Sequence, residues 1–187
     1  MSRRDEILAT AAELFARRGF HGVSVADLGA ACGISGPALY KHFASKDAML
    51  AEMLVQISEE LLEVGQARVA AASEPREALE ALVDWHVEFA LTRRALITVQ
   101  DRDWSSLPDE ARERVRDLQR QYVEVWAAQL QALDPGLAID RARAMAHVAF
   151  GLINSTPHSG RLPDEDMRAL LTSMAAAALG LTPAPAG

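Results

Sequence analysis

The stretch GISGPALYKHFASK, residues 33–46, decides the fold of the N-terminal part of the chain. Gly33 is suited to end a helix, since glycine readily takes the left-handed conformation that follows a last helical turn. Ser35 can cap a new helix with Gly36 and Pro37 in its first turn, where a missing amide hydrogen costs nothing. The stretch therefore predicts a tight turn between two helices.

The residues before this stretch predict two preceding helices. Apolar side chains recur at helical spacing from Ile7 to Phe15, and the run ends at RRG, residues 17–19, which is typical of a helix C-terminus. The sequence SVAD at residues 24–27 has the form of a capping box and opens a short second helix. Two short helices joined by a glycine-containing turn predict a helix-turn-helix.

The third helix, predicted over roughly residues 36–43, has an inward and an outward face. Leu39 and Phe43 lie four residues apart, so we expect both to pack inward. In a helix-turn-helix the outward side chains of the second helix meet the major groove, and polar groups at helix ends meet phosphates. The expected base contacts are Gly36, Pro37, Ala38 and Lys41, and the expected phosphate contacts are Ser24, Tyr40, His42 and Lys46, with Ser35 completing the predicted DNA-binding set.

Composition is compatible with this interpretation. The 187-residue chain has a net charge of −7, but residues 1–47 carry six basic and five acidic side chains, so the acidic excess lies elsewhere. A basic surface can exist on an acidic protein, and net charge does not exclude DNA. The single cysteine, Cys32, allows no internal disulfide, and no apolar run is long enough to span a bilayer. We therefore expect a cytoplasmic protein with no membrane partner.

The N-terminal quarter also resembles a known family. The sequence ILATAAELFARRGFHGVSVADLGAACGISGPALYKHFASKDAML is similar to the N-terminal domain of TetR-family transcriptional regulators, over about residues 5–55. The resemblance implies a DNA-binding head and a helical body that binds a ligand and forms a homodimer. It further implies a repressor of a roughly palindromic double-stranded DNA operator, released by a small-molecule effector. Many members carry larger polar residues than Gly36, Pro37 and Ala38.

The remainder of the chain is predicted to be helical throughout. We expect an all-α fold of about nine helices, with a helix-turn-helix DNA-binding domain over residues 1–47 and a ligand-binding and dimerisation domain over residues 48–187. The segments ARALITVQDRDWSSLPDEARERVRDLQRQYVEVW and AHVAFGLINSTPHSG resemble members thought to respond to acyl-CoA or lipid metabolites. An acyl-CoA or related anionic lipid metabolite is therefore the expected effector class.

Aromatic and polar side chains of the body predict the effector pocket. Apolar walls bury a ligand and a few polar groups orient it. A solvated cluster of ion pairs is the default explanation of the charges around Arg102, and the alternative is that Arg102 contacts an anionic group of the effector. The candidate pocket residues are Trp85, His86, Phe89, Gln100, Arg102, Trp104, Tyr122, Trp126 and Asn154.

The last two predicted helices carry apolar faces rich in alanine and methionine. Small side chains let two helix pairs approach closely about a two-fold axis, which predicts the dimer contact. The predicted interface residues are Met145, Ala149, Phe150, Ile153, Leu170, Leu171, Met174 and Ala178.

Two other classes of function stay open, a helical protein-interaction module and an enzyme without a recognisable catalytic motif. The five histidines show no H-E-x-x-H spacing, Cys32 has no CxxC partner, and no P-loop or GxSxG occurs. We therefore expect no catalytic residue, no metal site and no cofactor. A steep loss of affinity with salt would distinguish DNA binding from protein binding.

Overall fold

The computed structural model describes residues 2–159 and 162–181, and within them the regular structure is entirely helical, as predicted. All nine predicted helices are present, together with an additional single-turn helix, α9. The helices are α1 (Arg3–Arg18), α2 (Val25–Ala31), α3 (Gly36–Leu39), α4 (Lys46–Ala71), α5 (Pro75–Thr92), α6 (Arg94–Asp103), α7 (Asp109–Leu133), α8 (Ile139–Ile153), α9 (Thr156–Ser159) and α10 (Asp164–Ala178), with a 3₁₀ turn over Trp104–Ser106.

The described residues form two compact units. Unit 1 comprises the residues up to Ser58 together with Arg94–Arg116, and unit 2 comprises Glu59–Arg93 and the residues from Asp117 onward. Helices α4 and α7 therefore each contribute residues to both units. The predicted functional boundary after residue 47 stays a prediction, because these units describe packing rather than activity.

Unit 1 is built around the three N-terminal helices. Helix α1 packs against α2 and α6, and α2 packs against α3. The core includes Leu39 and Phe43, which are both buried as predicted. Its other large members are Ile7, Phe15, Leu28, Met49, Leu50, Val99, Leu107 and Val115.

Unit 2 places α5 against both α8 and α10, which also pack against each other. The inward faces of α8 and α10 consist of alanine, isoleucine, leucine and methionine side chains, and the Trp126 side chain of α7 is completely buried. Among residues 2–159 and 162–181, no helix has both the length and the apolar character that crossing a bilayer requires.

Candidate nucleic-acid interface and effector site

The turn of the helix-turn-helix depends on close backbone packing. The amide of Ile34 donates to the carbonyl of Gly29 at 2.9 Å, and Gly33 has a φ of 66°, which favours glycine. A Cβ atom added to Gly29 would lie 2.7 Å from the Ile34 oxygen and 3.3 Å from the Gly36 nitrogen. Helix α2 therefore approaches the start of α3 as closely as glycine permits.

Helix α3 is shorter than predicted. It ends at Leu39 rather than near Phe43, because the amides of Lys41 and His42 donate to carbonyls three residues back, at 3.2 and 2.9 Å. These residues form a turn instead of continuing the helix. The turn still buries Phe43 and leaves Tyr40 55% exposed.

The predicted base-contacting residues lie together on this short segment. Pro37 and Lys41 are exposed, and Gly36 and Ala38 are partly exposed. The Ser35 hydroxyl accepts a hydrogen bond from the Ala38 amide at 3.3 Å, so it caps α3 as predicted. A small apolar surface with one long cationic side chain is suited to the major groove, where thymine methyls and guanine edges are presented.

Two of the predicted phosphate contacts already have partners within unit 1. The Ser24 hydroxyl and the Asp27 carboxylate form a complete capping box, and hydrogen bonds from Ser24 lower the pKa of Asp27 to about 2. The Lys46 ammonium donates to the carbonyls of Phe20 at 2.8 Å and Val23 at 2.9 Å. Since an ammonium has three donors, these two hydrogen bonds to the loop between α1 and α2 use two of them, and the phosphate contact of Lys46 stays a prediction.

Arg102 contacts the end of α1. Its guanidinium donates to the carbonyls of Phe15 and Ala16, the latter at 3.0 Å, and also to Asp103 at 3.1 Å. Asp103 is buried and accepts from the Phe20 amide at 3.3 Å. The Phe15 carbonyl also accepts from the Gly19 amide at 2.8 Å, whereas Arg102 supplies the Ala16 carbonyl with a donor at the end of α1, where the helix itself has no further amides to offer.

Gln100, Arg102 and Trp104 all belong to unit 1, whereas the other six candidate pocket residues belong to unit 2. Gln100 is partly buried on α6. Trp104 packs against the core of unit 1, with the Arg116 guanidinium 5.6 Å from its ring centre. The predicted anion contact, Arg102, therefore has protein partners for its charged group in this structure.

A cluster of aromatic rings fills part of unit 2. The rings of His86, Tyr122 and Phe150 are nearly parallel to one another, with ring centres 5.7 Å apart for His86 and Tyr122, 4.7 Å for His86 and Phe150, and 5.3 Å for Tyr122 and Phe150. Trp126 meets all three rings edge-on. The Tyr122 ring packs directly against Gly65 of α4, where any side chain would collide with it, because a Cβ at that position would lie 2.6 Å from the ring. The structure thus brings three predicted pocket residues from α5 and α7 into direct contact.

The polar groups of this aromatic cluster are uncharged. The His86 Nε2 atom lies 3.2 Å from the Asn154 side-chain oxygen, and Nδ1 lies 3.4 Å from the Tyr122 hydroxyl. Burial lowers the pKa of His86 to about 4, despite the opposing hydrogen bond with Asn154, and burial raises the pKa of Tyr122. The cluster can therefore exchange hydrogen bonds with a ligand but supplies no charge at neutral pH.

Trp126 contributes a buried donor. Its indole nitrogen is completely buried and forms no hydrogen bond of ordinary geometry among the described residues. The indole N–H nevertheless lies close to the Tyr122 hydroxyl, where it partly offsets the effect of burial on the pKa of Tyr122. A buried N–H without a full partner costs free energy that an acceptor atom could recover.

The two remaining pocket candidates of unit 2 lie on α5. The Trp85 indole donates to the Leu61 carbonyl at 3.4 Å, and Phe89 is buried with its ring edge against His86, ring centres 5.8 Å apart. Phe89 therefore extends the aromatic cluster, whereas Trp85 contacts α4.

The predicted dimer residues divide into three groups. Ala149, Ile153 and Leu171 are buried in the core of unit 2 and have no surface for a second copy, so the prediction for these three is corrected. Phe150 is partly buried and stacks on His86. The members with exposed surface are Met145, Leu170, Met174 and Ala178, and the sequence prediction missed Val148, which is 61% exposed.

Comparison with known proteins establishes the family. A family described as "Bacterial regulatory proteins, tetR family" matches residues 7–53, and one described as "Tetracyclin repressor-like, C-terminal domain" matches residues 72–179. The chain belongs to the TetR family. The resemblance of the N-terminal sequence is thereby confirmed, and the helix-turn-helix and the helical body of this TetR-family chain each match their own family description.

The relatives of this TetR-family chain are regulators. It is 34% identical over 131 residues to the HTH-type transcriptional repressor KstR2 of Rhodococcus jostii, covering 70% of this chain but only 64% of the relative. A TetR-family transcriptional regulator from Bordetella parapertussis has a TM-score of 0.81 at 28% identity, covering 91% of this chain and 92% of that chain. The ketosteroid transcriptional regulator KstR2 of Mycobacterium tuberculosis has a TM-score of 0.79 at 25% identity, covering 96% of this chain and 94% of that chain.

Several functional candidates have no local sequence signal. Arg4 contacts Glu52 and the turn after α3, a partnership across 48 residues that spacing cannot reveal. Asp103 looks like one of several charges at the end of α6, and only the fold shows that it is buried. No group of histidine, cysteine, aspartate and glutamate suited to a metal ion occurs among residues 2–159 and 162–181.

Proposed function

We propose that the chain is a ligand-responsive transcriptional repressor that binds a palindromic operator as a homodimer and is released by a small molecule. The observation that carries this proposal is the helix-turn-helix of unit 1, in which the outward residues of α3 and the following turn are accessible. Membership of the TetR family and the similarity to KstR2 support the same function.

Selection of bound duplexes from a random DNA library tests the DNA-binding part of the proposal. We expect a palindromic sequence whose half-sites are centred about one DNA turn apart, and an affinity that falls steeply with salt because phosphate contacts release counterions. Absence of any selected sequence, or binding that is insensitive to salt, would contradict the proposal and favour the protein-interaction alternative.

Lys41 and Lys46 are expected to differ in their effects on binding. Lys41→Ala should weaken binding by roughly tenfold and relax preference at one base position, because Lys41 is the only long donor among the predicted base contacts. Lys46→Ala should weaken binding to all sequences alike, since it removes a phosphate donor and two hydrogen bonds to the loop after α1. Fluorescence anisotropy with the selected operator and single-base variants measures both effects.

The effector proposal is refined by the charges of the candidate residues. Arg102 is engaged with α1 and Asp103, whereas His86, Tyr122 and Asn154 offer only neutral hydrogen-bonding groups. We therefore propose that the part of the effector that contacts the aromatic cluster is uncharged and largely apolar. One hydrogen-bond acceptor on it would bind the Trp126 N–H. An acyl-CoA fits if its acyl group enters the cluster and its anionic group does not.

A panel of compounds separates these effector classes. Acyl-CoA esters, free coenzyme A, fatty acids and steroid ketones can each be tested for release of the operator and for an increase in melting temperature. Steroid ketones are included because a solved relative is named a ketosteroid transcriptional regulator. If free coenzyme A were the only compound to release the operator, the proposal that the effector contacts the aromatic cluster through an uncharged, largely apolar group would be contradicted.

The homodimer proposal rests on three exposed apolar side chains of α8 and α10. Val148 on α8 and Leu170 and Met174 on α10 are 61%, 44% and 48% exposed, although large apolar side chains of a soluble protein are usually covered. Helices α8 and α10 pack against each other, so a second copy could cover both helices in one two-fold contact.

Leu170→Glu is therefore expected to weaken the dimer. A carboxylate in an apolar interface loses hydration without gaining a partner, so the dimer dissociation constant should rise by at least about tenfold. Sedimentation velocity over a concentration series measures this constant. Ala169→Glu adds the same charge at the adjacent exposed position and serves as the control. Equal dissociation constants for Leu170→Glu and the wild type would place the interface elsewhere.

A further inference from the structure

Helix α3 has only four residues, so it depends on other parts of unit 1 for its placement. A helix of one turn contributes almost no stability by itself, so its placement depends on the contacts that surround it. Leu39 and Phe43 anchor its inward side, but packing of two apolar residues leaves the direction of the turn between them less constrained. A directional contact to the turn backbone is what would fix the exposed residues on it.

Arg4 makes such a contact. Its guanidinium donates to the carbonyl oxygen of His42, in the turn after α3, and lies 4.2 Å from the centre of the Phe43 ring. The same group forms a two-pronged ion pair with the Glu52 carboxylate of α4, in which the Nε–Oε1 distance is 2.5 Å. One side chain thus joins α1, the turn after α3 and α4.

The chemistry of this junction requires arginine. A guanidinium is planar and presents several donors in a fixed fork, which lets it bind a carboxylate and a carbonyl at the same time while its face covers an aromatic ring. Lysine carries the same charge but cannot reproduce this arrangement. Glu52 has a side chain only 22% exposed, so the pair is partly shielded from water and salt.

We infer that Arg4 is a positioning residue for the recognition turn, and that it supports DNA binding by holding residues 36–43 in place through His42, Phe43 and Glu52. This inference rests on the proposed DNA-binding function. It gives Arg4 a role that does not depend on a phosphate contact of its own.

Two substitutions separate positioning from direct contact. Arg4→Lys keeps the charge, so it should lower operator affinity roughly tenfold if the fork matters, and leave affinity near the wild-type value if Arg4 only meets a phosphate. Glu52→Gln removes a negative charge, so electrostatics alone would tighten DNA binding, whereas loss of positioning weakens it by a similar factor. Arg17→Lys, an exposed change at the other end of α1, is the matched control.

The measurements are anisotropy titrations at several salt concentrations and hydrogen exchange of the free proteins. We expect both Arg4→Lys and Glu52→Gln to bind more weakly with an unchanged salt slope, because the number of phosphate contacts stays the same. We also expect faster amide exchange in residues 36–43 with α5 unchanged, which distinguishes local loosening from global unfolding.

The inference is overturned if Arg4→Lys binds like the wild type, if Glu52→Gln binds more tightly, or if exchange of residues 36–43 is unaltered in both variants. These results differ from failure of the proposed function, in which the wild-type protein itself would select no DNA sequence.

Discussion

Gly29→Ala is expected to reduce operator affinity roughly a hundredfold while the chain still folds. The added methyl group would lie 2.7 Å from the Ile34 oxygen and 3.3 Å from the Gly36 nitrogen. Both are backbone atoms that cannot rotate away, so α3 must shift relative to α2. A shift that misplaces two base contacts, each worth about 1–3 kcal/mol, accounts for the loss. Anisotropy titration with the selected operator measures the affinity.

Stability measurements complete this test. We expect Gly29→Ala to lower the free energy of unfolding by about 1–3 kcal/mol, the usual effect of overpacking. Gly151→Ala is the control, because a Cβ at Gly151 meets no atom within 4 Å and should leave operator affinity unchanged. Wild-type affinity in Gly29→Ala would show that the close packing of α2 on the turn is not needed for DNA binding.

The helix-turn-helix could be predicted because its signals are local. The capping boxes and the turn glycine act through residues three or four positions apart, and the structure contains the Ser24 and Asp27 pair and the Ser35 cap as expected. The end of α3 was predicted less well. Tyr40, Lys41 and His42 can all continue a helix, and it is the packing of Phe43 into unit 1 that accompanies the change to a turn.

The faces of α8 could not be divided between core and surface by spacing alone. Ala142, Ala146, Ala149 and Ile153 share one stripe, and apolar stripes look the same whether a neighbouring helix or a second copy covers them. The structure assigns this stripe to the core of unit 2. The exposed Val148 was missed because it lies outside the stripe.

The sequence alone also does not show which of the candidate effector residues lie together. His86, Tyr122, Trp126 and Asn154 are aromatic or polar residues of the helical body, and the structure brings them together in unit 2. The charge of Arg102 makes it a candidate anion contact, but the α1 carbonyls to which it donates are 86 and 87 residues away in sequence. Backbone carbonyls that are distant in sequence leave no recognisable sequence pattern around the arginine that donates to them.

His86 is expected to make the protein less stable at mildly acidic pH. Burial lowers its pKa from 6.5 to about 4 in the folded chain, so the unfolded chain binds the proton more readily. The contribution of neutral His86 is therefore fully present above pH 6.5 and is lost progressively as the pH falls from 6.5 towards 4. Between about pH 7 and pH 5, this linkage alone lowers the free energy of unfolding by about 2 kcal/mol.

Denaturant unfolding of the wild type and of His86→Gln over this pH range measures the effect. Glutamine does not titrate and can still exchange hydrogen bonds with Asn154 and Tyr122, so the variant should be less stable at neutral pH but should lack this loss on acidification. Carboxylates such as Asp27 contribute equally to both proteins and cancel in the difference. His147→Gln makes the same substitution at an exposed histidine of α8 and serves as the control. An equal loss of stability in the wild type and His86→Gln would mean that the buried ring accepts a proton without cost, and that the aromatic cluster can carry a charge after all.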